Sequence, residues 1–487
     1  MATKCSMHGF QSRLAHVLRV FTFACVASLS VTVSAETLNQ SLLSAYRKNP
    51  QLDAERSSLR ATDETVNQAR ANYRPLLAAS GAASVQESKT TFDRPNVSFF
   101  PDGTSYPAEY SVTLNQQIFR GFRTRNATNK AEANVLAGRE ALRATEQTVL
   151  FNAIQAFMNV VRDTAIVKLR DNNVRVLSRD LRATQDRFSV GEVTRTDVAQ
   201  SRARRAQAVS DLELARANLK SSRANYQQVV GYSPRRLQEP KIPNYLLPKS
   251  LAEIRKRAEQ ESPNVVGALY NEQAALYNVK EISGEFLPTF EIDATYNSAY
   301  RGGGDNTTQH SQTGIVTGTL TVPLYQRGAV SSRVRQAKHQ HVQQMKLVEQ
   351  ARNEARETAI SAWAQLSASR AQLRSTTSQV EANGIALSGV REEEKVGQRT
   401  LLDVLDAEQE LLNSQVSLVS NRRDLIVNAY NVLAAIGRLT AKDLRLTSKA
   451  YDPKANYGKV RRKWFGISIT HADGKTEHLR AEDRPFK

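Results

Sequence analysis

The chain has 487 residues, a formal net charge of +19 and 40% hydrophobic residues, which is enough apolar content for cores of normal size. The charge would suit a nucleic-acid binder, but an exported chain more often uses such charge as a solvated surface or against anionic lipid. Both cysteines, Cys5 and Cys25, lie in the first 35 residues, which excludes disulfides and cysteine-ligated metals from the chain that follows.

Residues 1–35 have the pattern of a secretory signal peptide. Three basic residues accompany the apolar run VFTFACVASLSVTV, and Val33-Ser34-Ala35 fits a small-residue cleavage site before Glu36. Removing the three leader charges lowers the net charge from +19 to +16. We therefore expect the mature chain to leave the cytoplasm, and no later segment approaches the roughly 20 apolar residues of a spanning helix.

The remainder of the chain is an internal duplication. Two pairs of prolines, Pro50 with Pro263 and Pro75 with Pro288, are offset by 213 positions. From Phe119 onward the offset is 206 without any gap, as shown by Phe119 with Tyr325, Gly191 with Gly397, Asp197 with Asp403, and Gly231 with Gly437. Paired helices demand such equal lengths, because one inserted residue would rotate every later side chain by about 100°.

This duplication predicts the organisation of the mature chain. We assign residues 36–231 to a first repeat, 232–248 to a linker, 249–437 to a second repeat and 438–487 to a basic C-terminal tail. In the first repeat we expect strands at about 76–119 and a helical hairpin over 122–231 with its turn near 189–197. In the second we expect strands at about 289–325 and a hairpin over 328–437 with its turn near 395–403.

The segment before each hairpin alternates with a period of two. Apolar residues take the even positions of YPAEYSVTLNQQIF, and the same alternation recurs after Pro288 and before Tyr325. Outer-membrane strands have this pattern, and so does a half-buried soluble sheet. The polar loops at 87–104 and at RGGGDNTTQHSQ, and the lack of covering elements, favour the membrane. Four strands cannot close a barrel, so copies must join, two giving eight strands and three giving twelve.

The hairpin segments show apolar residues at three- and four-residue spacing. From Phe122 to Phe188 one helical register runs unbroken, which at about 1.5 Å per residue gives on the order of 100 Å. The pairing seam is expected to contain Val167, Val174, Leu181 and Phe188 before the turn, and Ala208, Leu212, Ala215, Leu219, Ser222, Tyr226 and Val229 after it.

Each hairpin turn carries a glycine followed six residues later by an aspartate. Thr194 with Asp197, and Thr400 with Asp403, are spaced to cap the returning helix. Asp406 lies three residues beyond Asp403, on the same helix face. In a symmetric oligomer these two carboxylates would form stacked acidic rings able to bind cations. A solvated acidic helix start, which the helix dipole favours, explains them equally well.

The motif VGQRTLLDVLDAEQ, the doubled plan of two strands and a long hairpin, and the LYQRG and IFRGF segments that lead into the helices resemble the TolC family of outer-membrane efflux and secretion ducts. The resemblance covers about residues 37–440. It implies a membrane α+β fold: a trimeric, 12-stranded outer-membrane β-barrel, four strands per chain, continuous with a long α-helical coiled-coil periplasmic barrel. Its tip would open when a periplasmic adaptor and an inner-membrane RND or ABC transporter engage it.

The same resemblance assigns roles to residues of the turns. Asp403 and Asp406 would be the constriction carboxylates, and Arg399 a latch that bonds Thr196 and Asp197 of a neighbouring turn. Glu394 stands where the family has a latch tyrosine, so that a carboxylate would face Asp197 and repel it unless Arg399 or Arg195 lies between them. The tip loops that an adaptor would grip contain Val190, Gly191, Val396, Gly397 and Thr400.

Three other functions have weaker support in the sequence. An enzyme lacks a motif, because the seven histidines show no paired metal spacing and neither a phosphate loop nor a nucleophile elbow is present. A periplasmic coiled-coil adaptor or structural rod would share the long helices but not the four alternating strands. A nucleic-acid partner is argued only from the charge. We therefore expect no cofactor, no metal and no nucleic acid, with outer-membrane lipid as a partner, and the substrate is not specified.

Overall fold

The protein is described here from a computed structural model, over residues 36–89, 103–303, 309–447, 450–470 and 476–477. The predicted signal peptide lies outside these residues, as do 90–102 and 304–308 of the predicted loops and parts of the C-terminal tail. The described part of the chain is mainly helical and contains one large sheet.

Helices form most of the described chain. They are α1 (Leu38–Lys48), α2 (Pro50–Ala71), α3 (Arg123–Ser189), α4 (Arg195–Val230), α5 (Leu251–Glu261), α6 (Pro263–Ser283), α7 (Ala329–Lys395), α8 (Leu401–Ala435) and α9 (Ala455–Val460), with a 3₁₀ turn at Gly284–Phe286. Helices α3 and α7 both have 67 residues, which is about 100 Å each. No helix in these ranges combines the length and the apolar character that crossing a membrane requires.

The large sheet is antiparallel throughout, in the order β1-β3-β4-β5, with β2 pairing beside β1 on β3. The strands are β1 (Leu76–Ala83), β2 (Gln86–Ser88), β3 (Gly103–Arg120), β4 (Thr289–Gly303) and β5 (Gln309–Thr321), and a separate small pair joins β6 (Ile469–Thr470) to β7 (Thr476–Glu477). Within the described residues, β1 and β5 each pair on one side only, so the sheet has two open edges.

The two faces of this sheet differ as the alternation predicts. On one face polar residues pair across strands: Asn115 Nδ2 donates to Asp293 Oδ1, and Gln117 Nε2 donates to Glu291 Oε2, both at 2.7 Å. The opposite face carries Tyr110, Val112 and Tyr296, and the two tyrosine rings lie 6.3 Å apart. These apolar side chains remain exposed in the protomer, which is the arrangement of a sheet whose apolar face meets lipid.

The strands are longer than the alternation indicates. The prediction of a loop over the whole of RGGGDNTTQHSQ is wrong at both ends, because β4 continues to Gly303 and β5 begins at Gln309. Likewise β3 begins at Gly103, inside the predicted loop 87–104. Backbone pairing does not need apolar side chains, and here Ser298 and His310 hydrogen bond across the strands at 3.1 Å. The ladder therefore runs past the apolar band.

Each strand of the sheet continues into a helix of the layer below it. Helix α2 leads into β1, β3 into α3, α6 into β4, and β5 into α7, and the helices contact one another in the same order as the strands. At the two strand-to-helix turns, two successive residues have left-handed backbones: Gly121 and Phe122, then Arg327 and Gly328. This shared geometry explains why similar IFRGF and LYQRG segments recur 206 residues apart.

Further down, each long helix is paired with two helices stacked end to end. Asn49 marks the first junction: its Oδ1 accepts from Gln51 N, which caps α2, and its Nδ2 donates to the carbonyl of Val229 in the last turn of α4. Arg143 marks the second junction and donates to the carbonyls of Glu261 and Gly437 at 3.0 and 2.8 Å. Helices α4 and α2 thus stack end to end along α3, and α8 and α6 stack end to end along α7. Helices α3 and α7 are themselves unbroken at these junctions.

The main hydrophobic core surrounds these two junctions. It joins residues of all eight helices from α1 to α8 with the segment after Gly437, and its largest fully buried side chains include Phe157 and Tyr226. Burial follows most of the predicted seam in α4, where Ala208, Leu212, Ala215, Leu219 and Tyr226 are buried. Ser222 and Val229 of that seam are only half-buried, and Val230 is buried in place of Val229.

The seam predicted for α3 is wrong near the turn. Phe188 is exposed and Leu181 is only half-buried, whereas Leu177 and Thr184 are buried. Leu177 packs against Ala208 of α4 and Leu405 of α8. Because α3 contacts both α4 and α8 here, its buried residues are those that face the space between the two helices. The spacing of apolar residues along α3 does not show which of its faces this is.

Glu36, the first described residue, connects the segment before α1 to the end of α4. Its carboxylate accepts hydrogen bonds from the hydroxyls of Tyr226, Tyr232 and Ser41 and from the backbone N–H of Arg235. Burial alone would raise the pKa of Glu36, but these hydrogen bonds outweigh it and hold the pKa below its ordinary value.

We predict that Glu36→Gln destabilises the protein at pH 7 by about 1–3 kcal/mol, because the charge-assisted hydrogen bonds are lost. A lowered folded-state pKa contributes stability above the unfolded-state pKa, and that stability disappears as the pH falls through the folded-state value. The deficit should therefore shrink below pH 4.5, the ordinary value of the Glu36 carboxyl. Thermal unfolding in detergent measures it, with exposed Glu239→Gln as the control; an equal deficit at low pH would contradict the assignment.

Candidate functional site

The two hairpin turns have nearly the same geometry. After α3, Gly191 has φ +86°, and its N–H donates to the carbonyl of Phe188. After α7, Gly397 has φ +78°, and its N–H donates to the carbonyl of Glu394. A glycine can adopt the left-handed conformation that ends a helix without the steric cost of a Cβ. The chain therefore reverses direction within five residues at each of the two turns.

Each returning helix begins with a capping box, as predicted. The hydroxyl and N–H of Thr194 donate to Asp197 Oδ2, both at 2.8 Å, and the N–H of Asp197 donates back to the threonine hydroxyl. Thr400 and Asp403 repeat this arrangement, with distances of 2.8 and 2.9 Å. The N–H and hydroxyl of Thr400, with the charge of Arg399, hold the pKa of Asp403 below its ordinary value. Asp403 is therefore an anion at neutral pH.

Asp403 and Asp406 lie in the first two turns of α8, and their surroundings differ. Asp403 binds its own helix start, whereas Asp406 accepts a hydrogen bond from the guanidinium of Arg204 on α4. The side chains of Arg204 and Asp406 are 38% and 56% exposed. Arg204 is a residue that the sequence analysis did not identify, and it places a positive charge against one of the two proposed constriction carboxylates.

Arg399 lies on the turn between α7 and α8, and its Nε donates to Glu393 Oε2 at 3.0 Å. Within the protomer the partner of Arg399 is thus Glu393, on its own turn, while Asp197 bonds Thr194. The proposed bonds from Arg399 to Thr196 and Asp197 concern a neighbouring turn, and they stay a prediction.

Glu394, at the position of the family's latch tyrosine, is bound by an arginine that the sequence analysis did not select. Arg187, in the last turn of α3, donates to Glu394 Oε1 at 2.7 Å and also lies 3.2 Å from Glu192. This ion pair joins the end of one long helix to the end of the other. Within the protomer the arginine that pairs with Glu394 is therefore Arg187, not Arg399 or Arg195, and its second carboxylate is Glu192 rather than Asp197.

A buried charged cluster lies about two turns above the tip. Arg391 on α7 donates to Glu408 on α8, and Glu408 is only 7% exposed. Burial raises the pKa of Glu408 and outweighs the opposing hydrogen bond from Arg391, and the negative charge of Asp180 on α3 raises it further. Burial raises the pKa of Asp180 as well. The cluster links α3, α7 and α8. In the sequence it shows only as charged residues at helix positions where the spacing predicts apolar ones.

Each turn exposes one valine at the tip, next to exposed polar residues such as Glu192 and Arg399. Val190 and Val396 are 72% and 71% exposed, and a Cβ added to Gly191 or Gly397 would meet no neighbour within 4 Å. Exposed apolar residues at the end of a long helical hairpin are suited to a protein contact.

No group of three or more His, Cys, Asp or Glu side chains in the described ranges is arranged to hold a metal ion.

Comparisons with known proteins give a consistent result. The model of the "Outer membrane efflux protein" family matches residues 42–232 and 254–438, in two blocks that follow the duplication. The outer membrane efflux protein BepC of Brucella suis is 37% identical over 433 residues, covering 89% of this chain and 92% of BepC. The outer membrane protein TolC of Escherichia coli is 26% identical over 440 residues, covering 87% of each chain.

The fold is also that of a solved structure. The CmeC outer membrane channel of Campylobacter jejuni superposes with a TM-score of 0.72 at 18% identity, covering 87% of this chain and 89% of CmeC. At this identity the likeness concerns the fold.

We predict that Arg187→Gln loosens both turns, because the ion pair between α3 and α7 is lost. A partly exposed pair is worth about 0.2–1 kcal/mol, so amide hydrogen exchange at 190–194 and 396–400 should rise about 1.4- to 5-fold. The exposed pair Lys395–Glu392, within one helix, provides the control Lys395→Gln.

The charge-swapped double variant Arg187→Glu with Glu394→Arg should restore slow exchange at 396–400, but not at 190–194, where the new carboxylate at position 187 lies beside Glu192. If exchange in the 396–400 turn is unchanged by Arg187→Gln, the pair does not join the hairpins.

Proposed function

Since the chain belongs to the outer membrane efflux protein family, we propose that it forms the outer-membrane exit duct of an export machine and that its hairpin turns are the gate. The family's channels lie in the outer membrane of Gram-negative cells. One observation carries the proposal: a sheet whose four main strands, β1, β3, β4 and β5, have an exposed apolar face and two open edges continues directly into two helical hairpins about 100 Å long.

Closure of the duct follows from the sheet edges. With four main strands in antiparallel order, β1 and β5 run in opposite directions, so the β5 edge of one copy can continue the antiparallel ladder with the β1 edge of the next. Three copies joined in this way would close a twelve-stranded barrel. The helix layer, which follows the strand order, closes with it into a tunnel.

We place the constriction of the closed duct at the first turns of α8. In a trimer Asp403 and Asp406 would form two carboxylate rings, and such rings select and bind cations. Asp403 is ionised at neutral pH because of its hydrogen bonds from Thr400. The Arg204 partner reduces the effective charge of Asp406. Most of the cation affinity would therefore come from Asp403.

The latch proposed for Arg399 fits a neighbouring subunit better than its own. Arg399 is about half exposed while it bonds Glu393, so part of its guanidinium is open to bond Thr196 and Asp197 of an adjacent hairpin in the trimer. Within the subunit, Arg187 and Glu394 take the role of holding the two turns together. Opening would require both contacts to separate.

The exposed tip loops are the surface that a periplasmic adaptor would contact. Val190, Gly191, Val396, Gly397 and Thr400 lie on these turns, and two exposed valines per copy would give six in a trimer. The adaptor would connect the duct to an inner-membrane transporter of the RND or ABC class. That transporter, rather than the tunnel, would select the substrate.

We predict that Asp403→Ala with Asp406→Ala abolishes block of the pore by millimolar divalent cation, measured as conductance of the purified protein in planar bilayers. Asp403→Ala alone should remove most of the block and Asp406→Ala alone less, because Arg204 already compensates Asp406. Glu349→Ala, an exposed carboxylate far from the tip, is the control. Unchanged block in the double variant would refute the ring assignment.

We also predict that Arg399→Glu raises the conductance of the closed state. The substitution places a new carboxylate beside Glu393 and next to Asp403, so that repulsion replaces an ion pair. Lys395→Glu, which adds the same charge change on the adjacent exposed turn of α7, should have a much smaller effect. Equal effects of the two variants would mean that only net charge matters and that Arg399 is not a latch.

A further inference from the structure

The part of the chain beyond residue 438, where the family match ends, contains a short segment with exposed aromatic and basic residues. We name residues 459–469, KVRRKWFGISI, the anchor segment. Trp464, Phe465 and Ile467 are 59%, 86% and 81% exposed, although they are among the most apolar residues of the C-terminal tail. Three exposed large apolar side chains within four residues form an apolar patch of the kind that contacts a partner surface.

The anchor segment is firmly attached to the helix layer. Just before it, Asn456 donates to Asp63 of α2, and the Tyr457 hydroxyl donates to Glu132 of α3, at 2.9 and 3.0 Å. Within it, the carbonyl of Lys463 accepts from Asn67 Nδ2 and Arg74 Nη1, each at 3.0 Å. The exposure of the three apolar residues is therefore a property of a held conformation.

These contacts place the segment where the helix layer meets the sheet. The Arg74 guanidinium lies 4.7 Å from the centre of the Trp464 ring, and Arg74 is separated from β1 only by Pro75. The neighbouring residues Tyr73, Leu76 and Leu77 are all more than half exposed. The apolar surface of the anchor segment thus lies beside Arg74, two residues before the apolar start of the membrane-facing sheet at Leu76.

The charge of the segment is complementary to a lipid surface. Between residues 450 and 470 the chain has five basic residues and one acidic residue, Asp452. Lys459 and Arg462 are exposed, whereas Arg461 pairs with Glu132 and Lys463 Nζ donates to Ser468. Aromatic residues favour the headgroup level of a bilayer, and lysine and arginine beside them attract anionic lipid.

We propose that the anchor segment binds the periplasmic leaflet of the outer membrane. Trp464, Phe465 and Ile467 insert at the headgroup level around the base of the barrel, and Lys459 and Arg462 contact lipid phosphates. This inference rests on the sheet being the membrane-embedded part of the proposed duct. It gives the basic tail a role, which is to fix the height of the tunnel relative to the leaflet.

Tryptophan fluorescence in lipid nanodiscs tests the proposal, because the chain has only two tryptophans. Trp363 is partly buried on α7, 34 residues from the strand end of that helix, which is about 50 Å. The variant Trp363→Phe reports Trp464 alone, and Trp464→Phe reports Trp363 alone. Nanodiscs are prepared with plain or brominated phospholipids, in zwitterionic mixtures and in mixtures containing phosphatidylglycerol.

We expect brominated lipid to quench Trp464 strongly and Trp363 little. Lys459→Gln with Arg462→Gln, which leaves the contacts to Glu132 and Ser468 intact, should reduce quenching of Trp464 more with phosphatidylglycerol than without it. If Trp363→Phe assembles poorly, the difference between the native chain and Trp464→Phe gives the same quantity.

Equal emission of Trp464 in plain and brominated lipid would overturn the proposal and would indicate that a neighbouring subunit covers the segment. Conductance of the same preparations separates this result from a failure of the proposed function. A conducting trimer without quenching contradicts only the lipid anchor, whereas a chain that neither conducts nor responds to brominated lipid contradicts the duct as well.

Discussion

Unpaired backbone groups on two sheet edges are the constraint on which this architecture depends. Strands β1 and β5 each leave one row of N–H and C=O groups without a partner among the described strands, and the sheet carries an apolar face. In a bilayer no water can satisfy those groups, at a cost of several kcal/mol each. The edges must therefore meet edges of other copies. Because each strand continues into a helix, closing the barrel also closes the tunnel.

The tunnel in turn explains the strict repeat in the sequence. Helices α3 and α7 have equal lengths and begin 206 residues apart, so corresponding side chains face corresponding neighbours along the whole bundle. Their partners are broken at the junctions near Asn49 and Arg143, where the core is thickest. At each junction the continuous helix, α3 or α7, changes its packing partner, from α2 or α6 near the sheet to α4 or α8 in the hairpin. Because α3 and α7 are not interrupted, their side chains keep the same helical register on both sides of the junction.

Much of the fold could be predicted because it depends on local rules. Glycine turns, capping boxes and alternation of apolar residues act over a few neighbouring positions, and the helix boundaries follow from them. The side-chain pairs at the tip could not be predicted, since Arg187 meets Glu394 and Arg204 meets Asp406 only after separate helices pack. The strand ends were missed because backbone pairing continues beyond the apolar band. Phe188 is exposed rather than in the pairing seam because α3 packs against two helices near the turn, which changes the face that is buried.

Cross-linking between the sheet edges tests the central claim most directly. The only native cysteines are Cys5 and Cys25, in the predicted leader, so single cysteines can be introduced along β1 and along β5 of one chain. Opposed residues on antiparallel strands have Cα atoms about 4.5–5.5 Å apart, which suits a disulfide. The account predicts that one register of pairs yields covalent species of up to three copies and no more. Links within a single chain, or a ladder extending beyond three copies, would contradict it.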